Sequence, residues 1–141
     1  MRINASSYAY LVMVTRMWPP LPGIGERTYM IRISEAFQGK KAFIAYLMAG
    51  DSDLPTSAEY ILIAQDAGAD LIEIGIPFSD PIAEGKVIET AGIRALKTGT
   101  RLDGVFDMVA SIKDRMRVPM VFMTYLNPIF VYEYEQFFAR W

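Results

Sequence analysis

The sequence contains neither cysteine nor histidine. Without cysteine there is no disulfide, no thiolate nucleophile and no Cys-type zinc site, a composition that fits a reducing compartment. Without histidine, the commonest acid–base group and the commonest metal ligand are both missing. Proton chemistry therefore falls to carboxylates, lysine, tyrosine or water, and no catalytic metal is expected. No apolar run approaches the ~20 residues of a membrane span. Tyr8–Val14 is apolar and lies behind Arg2, but Arg16 follows at once and no small-residue cleavage site is evident. The segment reads as untargeted sequence, and a cytoplasmic protein is expected. The 14 Lys and Arg are scattered among 16 Asp and Glu, for a net charge of −2. Nucleic-acid binding would need a clustered basic face, so none is expected. No Walker-type phosphate loop is present either. Gly23-Ile24-Gly25 follows no strand and is not continued by a third glycine at the right step.

What the chain does contain is core material: 52% of its 141 residues are hydrophobic and 21% are charged, an ordinary globular balance. Trp18–Gly25 packs three prolines and two glycines into eight residues and sustains neither a helix nor a central strand. From Ala42 a regular pattern sets in. Ala42–Met48 is a continuous apolar run that reads as a strand buried on both faces. Thr56-x-x-Glu59 has the form of a capping box, and Tyr60, Ile61, Ala64 and Ala67 follow at helical spacing until Gly68 stops them. Asp70–Pro77 reads as the next strand, Val87–Thr98 as a helix closed by Gly99, and Leu102–Ile112 as another helix. Met120–Tyr125 reads as a third strand ended by Asn127-Pro128, and Tyr134–Trp141 begins a further helix. Strands separated by single-helix connections predict an α/β fold with a parallel sheet. A flavodoxin-like open sheet and a TIM barrel both accommodate so few units.

Glu73 is the most informative residue. Side chains alternate along a strand. Leu71, Glu73 and Gly75 therefore share one face, and Ile72, Ile74 and Ile76 share the other. The isoleucine face is expected to pack on helices, leaving Glu73 toward the interior. A carboxylate there loses hydration, which raises its pKa toward values useful in general acid–base work. The competing reading is a structural carboxylate, paired with a buried cation or on a strand edge facing water, and local sequence weighs the two readings equally. The loop Pro77–Gly85 leaves the C-terminal end of this strand, where active sites gather in barrels and in open α/β sheets alike. It brings Asp80 and Glu84 to that edge, where an arbitrary loop would more often form a solvated acidic turn. Asp51 lies at the matching end of the first strand, and Tyr125 and Asn127 at the end of the third. Each alone reads as a turn or cap residue; together they place polar groups from several strand ends around one mouth.

The stretch Leu71-Ile72-Glu73-Ile74-Gly75-Ile76-Pro77-Phe78-Ser79-Asp80-Pro81 resembles the signature of tryptophan synthase alpha chains. Ala42–Asp51, Asp66–Asp70 and Thr124–Pro128 are similar to the same family in order and spacing, and the similarity runs from about Met30 to the C-terminus. The resemblance implies a TIM (β/α)8 barrel that cleaves indole-3-glycerol phosphate to indole and glyceraldehyde 3-phosphate. It implies Glu73 as the proton-transferring carboxylate and Glu84 as the acid that receives the indole N–H, with Tyr46, Met123 and Tyr125 lining the indole pocket. It implies no cofactor in this chain, since pyridoxal phosphate belongs to the partner beta chain of an alpha2-beta2 assembly, which meets the loop Pro77–Gly85. The family usually has Asp where Glu84 stands and Pro where Lys86 stands. The extra methylene of Glu84 would misplace the acid, and Lys86 would draw it into an ion pair. Ser52 stands where the family usually has Pro. A TIM barrel needs about 250 residues. Residues 30–141 are therefore expected to form the N-terminal portion of an incomplete barrel, about the first three βα units, with residues 1–29 an extension outside the fold. The expected activity is that of the lyase, impaired in this chain; the alternative is a non-catalytic fragment that at most binds the beta chain.

Overall fold

A computed structural model describes residues 12–14 and 33–141. In chain order its elements are β1 (Val12–Val14), α1 (Ile33–Ala36), β2 (Ile44–Met48), α2 (Leu54–Asp66), β3 (Leu71–Gly75), α3 (Lys86–Lys97), α4 (Leu102–Ile112), a turn of 3-10 helix (Lys113–Arg115), β4 (Met120–Thr124), α5 (Leu126–Tyr132) and α6 (Tyr134–Arg140). The strands form one sheet in the order β1-β4-β3-β2. β2, β3 and β4 run parallel, as the single-helix connections require.

The sheet has two distinct faces, and the alternation in β3 assigns them as expected. Ile72, Ile74 and Ile76 are buried against α2, α4, α5 and α6, together with Ile61, Phe106, Phe122 and Phe137. Phe106, Phe122 and Phe137 meet edge-to-face with ring centroids 5.2 to 6.3 Å apart, the arrangement that aromatic quadrupoles favour. On the other face, Leu71 and Val121 are covered at their N-terminal end by Ile33 and Ala36 of α1, which plugs the bottom of the sheet.

Several local expectations give way to tertiary context. The N-cap of α2 is Asp53, whose carboxylate accepts from the Thr56 amide at 2.6 Å, so Thr56 is not the head of a capping box. Asp caps a helix at least as well as Thr, and Pro55 in the first turn needs no amide partner. β2 is only partly covered rather than buried on both faces, because it lies at the edge of the sheet with β3 as its one neighbour. Asn127-Pro128 does not simply end a strand: it lies in the first turn of α5, where proline's missing N–H costs nothing.

The expectation that residues 1–29 stand outside the fold fails for Val12–Val14. They pair antiparallel with β4, Val12 opposite Thr124 and Val14 opposite Phe122. An uncovered strand edge offers unpaired N–H and C=O groups to any extended segment of good β-propensity. The rest of that stretch lies outside the described residues. Among the described residues, no helix is long and apolar enough to cross a membrane.

Candidate functional site

The parallel register stacks the non-helical face of the sheet in layers. Tyr46, Glu73 and Val121 lie abreast in one layer, and Met48, Gly75 and Met123 in the next toward the C-terminal ends. Tyr125 follows directly after β4 as the residue preceding α5. Glu73 is thus flanked by an aromatic ring and a valine, on the face opposite its isoleucine neighbours. Burial pushes its carboxyl pKa up, and no other cause contributes. Among the described residues it makes no ion pair: the four pairs are Lys40–Asp70, Arg94–Asp51, Arg117–Asp66 and Arg140–Asp107. A carboxylate held by a buried cation therefore has no partner here, and β3 is not an edge strand, although Glu73 itself is only half-buried. A desolvated carboxylate without a counter-ion is suited to carrying a proton at moderate pH.

Tyr46 leans across from β2 toward β3. A Cβ on Gly75 would lie 2.1 Å from its hydroxyl and 2.8 Å from its ring Cζ. The glycine in β3 is therefore what lets the phenol occupy that layer. Burial pushes the Tyr46 pKa well above the ordinary phenol range, and the charges of Glu84 and Glu73 and the neighbouring Tyr125 add to the effect. The register sets Tyr46 beside Glu73, and the charge effects of Glu84 and Tyr125 reach its hydroxyl as well.

The loop after β3 folds back over the end of β4. The Tyr125 hydroxyl accepts hydrogen bonds from the amides of Ile82 and Ala83, each at 3.0 Å, and donates a short one to Glu84 Oε2. Its ring packs beside Phe78, with centroids 5.2 Å apart. Burial foremost, then the bond to Glu84, pushes the Tyr125 pKa up, while the two amide donors oppose the shift. The expected ion pair between Lys86 and Glu84 is absent: Glu84 turns to Tyr125, and Lys86 is exposed. Sequence reasoning placed Tyr125 on the pocket wall and missed this link, because 41 residues separate it from Glu84 and no local pattern signals such a pairing.

The other candidate polar groups divide. Asp51 is taken up by a two-pronged contact with Arg94, at 2.6 and 2.9 Å, which ties the loop after β2 to α3. Asp80 and Asn127 are exposed. Gly50, at φ +79°, lies where a Cβ would meet Thr100 Oγ1 at 1.9 Å, so that loop needs a glycine for both conformation and space. A cavity of about 220 Å³ opens between β2, the start of α2 and α3, bordered by Tyr46, Met48, Tyr60, Ile88 and Arg94. Neither Glu73 nor Glu84 lines it, so it adjoins the carboxylate site without containing it. Among the described residues, no group of three or more Asp or Glu converges in a way that would hold a metal ion.

Comparison with known proteins gives the family of the chain. The family model for the tryptophan synthase alpha chain matches residues 34–141. Tryptophan synthase alpha chains from Bacillus thuringiensis subsp. konkukian and Bacillus cereus are 47% and 48% identical over 107 residues, 75% of this chain and 42% of each relative. The chain thus spans about two fifths of the length of the curated relatives it matches. Among solved structures, the tryptophan synthase α2β2 complex of Pyrococcus furiosus aligns with a TM-score of 0.66 and 43% identity, over 70% of this chain and 42% of that one. The three parallel strands and their helices correspond to an incomplete (β/α)8 barrel. With the family model, the identity to curated relatives and the strand-and-helix topology all in agreement, the chain belongs to the tryptophan synthase alpha chain family.

Proposed function

We propose that this chain carries the acid–base and indole-binding side of a lyase that cleaves indole-3-glycerol phosphate. Glu73 delivers a proton to indole C3. The side-chain hydroxyl then gives its proton back to the carboxylate, the bond from C3 to the glycerol carbon breaks, and its electron pair returns to the ring. The products are indole and glyceraldehyde 3-phosphate, and Glu73 ends as it began. Glu84 accepts the indole N–H as positive charge develops on the ring nitrogen. Tyr46, Met123 and the Tyr125 ring form the walls. This acid–base route calls for no cofactor in this chain. The observation that carries the reading is Glu73 itself: an interior carboxylate beside Tyr46, its pKa raised by burial alone, with no ion-pair partner among the described residues.

Indole release from indole-3-glycerol phosphate tests it. In a barrel completed around this chain, turnover that is lost in Glu73→Gln while the circular dichroism spectrum is kept is the expected result. Unchanged turnover in Glu73→Gln removes that residue from the mechanism. The neighbouring loop, Pro77–Gly85, is the surface we assign to a beta chain, which would receive the indole in the cytoplasm. Replacing Pro77–Asp80 by Gly and Ser is expected to abolish binding to a cognate beta chain, and undiminished binding refutes that assignment. Saturable beta-chain binding with no indole release from the parent chain would favour the non-catalytic alternative.

A further inference from the structure

The hydrogen-bonding capacity of the Tyr125 hydroxyl is spent entirely inside the protein. A phenol has one proton to donate and two lone pairs to accept with. The proton goes to Glu84 Oε2, and the lone pairs receive the Ile82 and Ala83 amides. Tyr125 is 5% exposed, so water does not compete for these bonds. Nothing of this hydroxyl is left over for a ligand. Glu84, by contrast, keeps Oε1 to accept from a ligand's N–H. The three bonds add to the Phe78–Tyr125 ring contact and the Ile76–Met123 backbone bond in joining two segments: the loop leaving β3, and the junction of β4 and α5.

We propose that Tyr125 is a positioning residue whose hydroxyl latches the loop Phe78–Gly85 onto the end of β4 and aims the Glu84 carboxylate over the Glu73 layer. Its ring remains part of the pocket wall, but its hydroxyl acts through Glu84 and not on the substrate. The ligand class that such an aimed, singly occupied carboxylate selects is a flat aromatic heterocycle bearing an N–H donor. The proposal rests on the lyase reading for the identity of that ligand. The latch itself is independent of it.

Two measurements on the whole chain separate the two. Hydrogen exchange followed by mass spectrometry reads the loop peptide that carries the Ile82 and Ala83 amides. Tyr125→Phe removes only the hydroxyl and is expected to speed that exchange about tenfold or more. Glu84→Gln leaves both amide donors on Tyr125 and is expected to keep the peptide protected. Indole itself is the binding probe, measured by equilibrium dialysis on the parent, Tyr125→Phe, Glu84→Gln and the double variant. Tyr125→Phe is expected to weaken indole about tenfold in the parent and to have no further effect once Glu84 is Gln. A penalty that persists in full in the Glu84→Gln background assigns Tyr125 a direct or merely structural role and overturns the proposal. Unchanged exchange in Tyr125→Phe overturns the latch outright. If the parent chain does not bind indole, the lyase reading fails, and the exchange result alone decides the latch.

Discussion

Gly75→Ala adds one methyl group at the point where β3 meets Tyr46, and the structure sets its consequences. The new Cβ would lie 2.1 Å from the Tyr46 hydroxyl oxygen, 2.8 Å from Cζ and 3.1 Å from Cε2. Unstrained contacts between such atoms begin near 3.5 Å, so the phenol end must retreat by roughly 1.4 Å. Overpacking of this kind costs about 1–3 kcal/mol. Replacing a strand glycine by alanine returns about 0.5–1 kcal/mol, because less chain entropy is lost on folding. The net expectation is a loss of about 1–2 kcal/mol in the parent, or roughly 3–7 °C in melting temperature for a chain of this size. In a Tyr46→Ala background all three clashing atoms are gone, and the same substitution should become neutral or stabilising. Urea denaturation of the four proteins in this double-mutant cycle measures the coupling directly. Indole binding, read in parallel, should fall with Gly75→Ala, because a pocket wall displaced by about 1 Å misplaces the ligand. Equal destabilisation by Gly75→Ala in both backgrounds would refute the reasoning, since the penalty could not then come from Tyr46.

The Glu73 pKa is raised in the folded state by burial, so folding favours its protonated form. Its contribution to stability is thus fully present below the ordinary glutamate value and is lost as pH rises through the raised one. Glu73→Gln should therefore stabilise the chain at neutral pH and have little effect below about pH 4, as melting curves across that range will show; a constant difference at all pH values contradicts the assignment. Asp53→Ala should lower the melting temperature while Thr56→Ala leaves it nearly unchanged, because Asp53 supplies the cap of α2; the reverse order would restore the capping box. Phe43 and Ile44 are exposed at the open edge of the sheet, and Ile44–Met48 carries no charge to block strand pairing. The 141-residue chain expressed alone should self-associate in sedimentation velocity runs, and Ile44→Lys should reduce it; a monomer at all concentrations would show that the edge is inert.

What could be read along the chain was governed by short-range physics. The two-residue period of β3 assigned its faces, because alternation of side chains is a property of the extended backbone whatever surrounds it. Helix ends at Gly68 and Gly99 were legible for a similar reason: both adopt positive φ, at 99° and 80°, which glycine reaches without penalty. The boundaries that were misread involve competition between neighbours. Asp53 and Thr56 are both cap residues, and only the path of the entering chain chose Asp53. Asn127-Pro128 reads equally as a strand stop and as a first helical turn.

The sequence by itself determined the α/β class, the interior direction of Glu73 and the absence of any histidine or cysteine chemistry, since each depends on residue identity or on contacts a few positions apart. Only the tertiary structure decided that Glu84 turns to Tyr125 rather than to Lys86, that Gly75 makes room for Tyr46, that β2 is an edge strand and that Val12–Val14 joins β4. Each of these joins residues 27 to 112 positions apart. The energy of such a contact depends on the distance and direction that the assembled sheet imposes, and neither is encoded in any one segment.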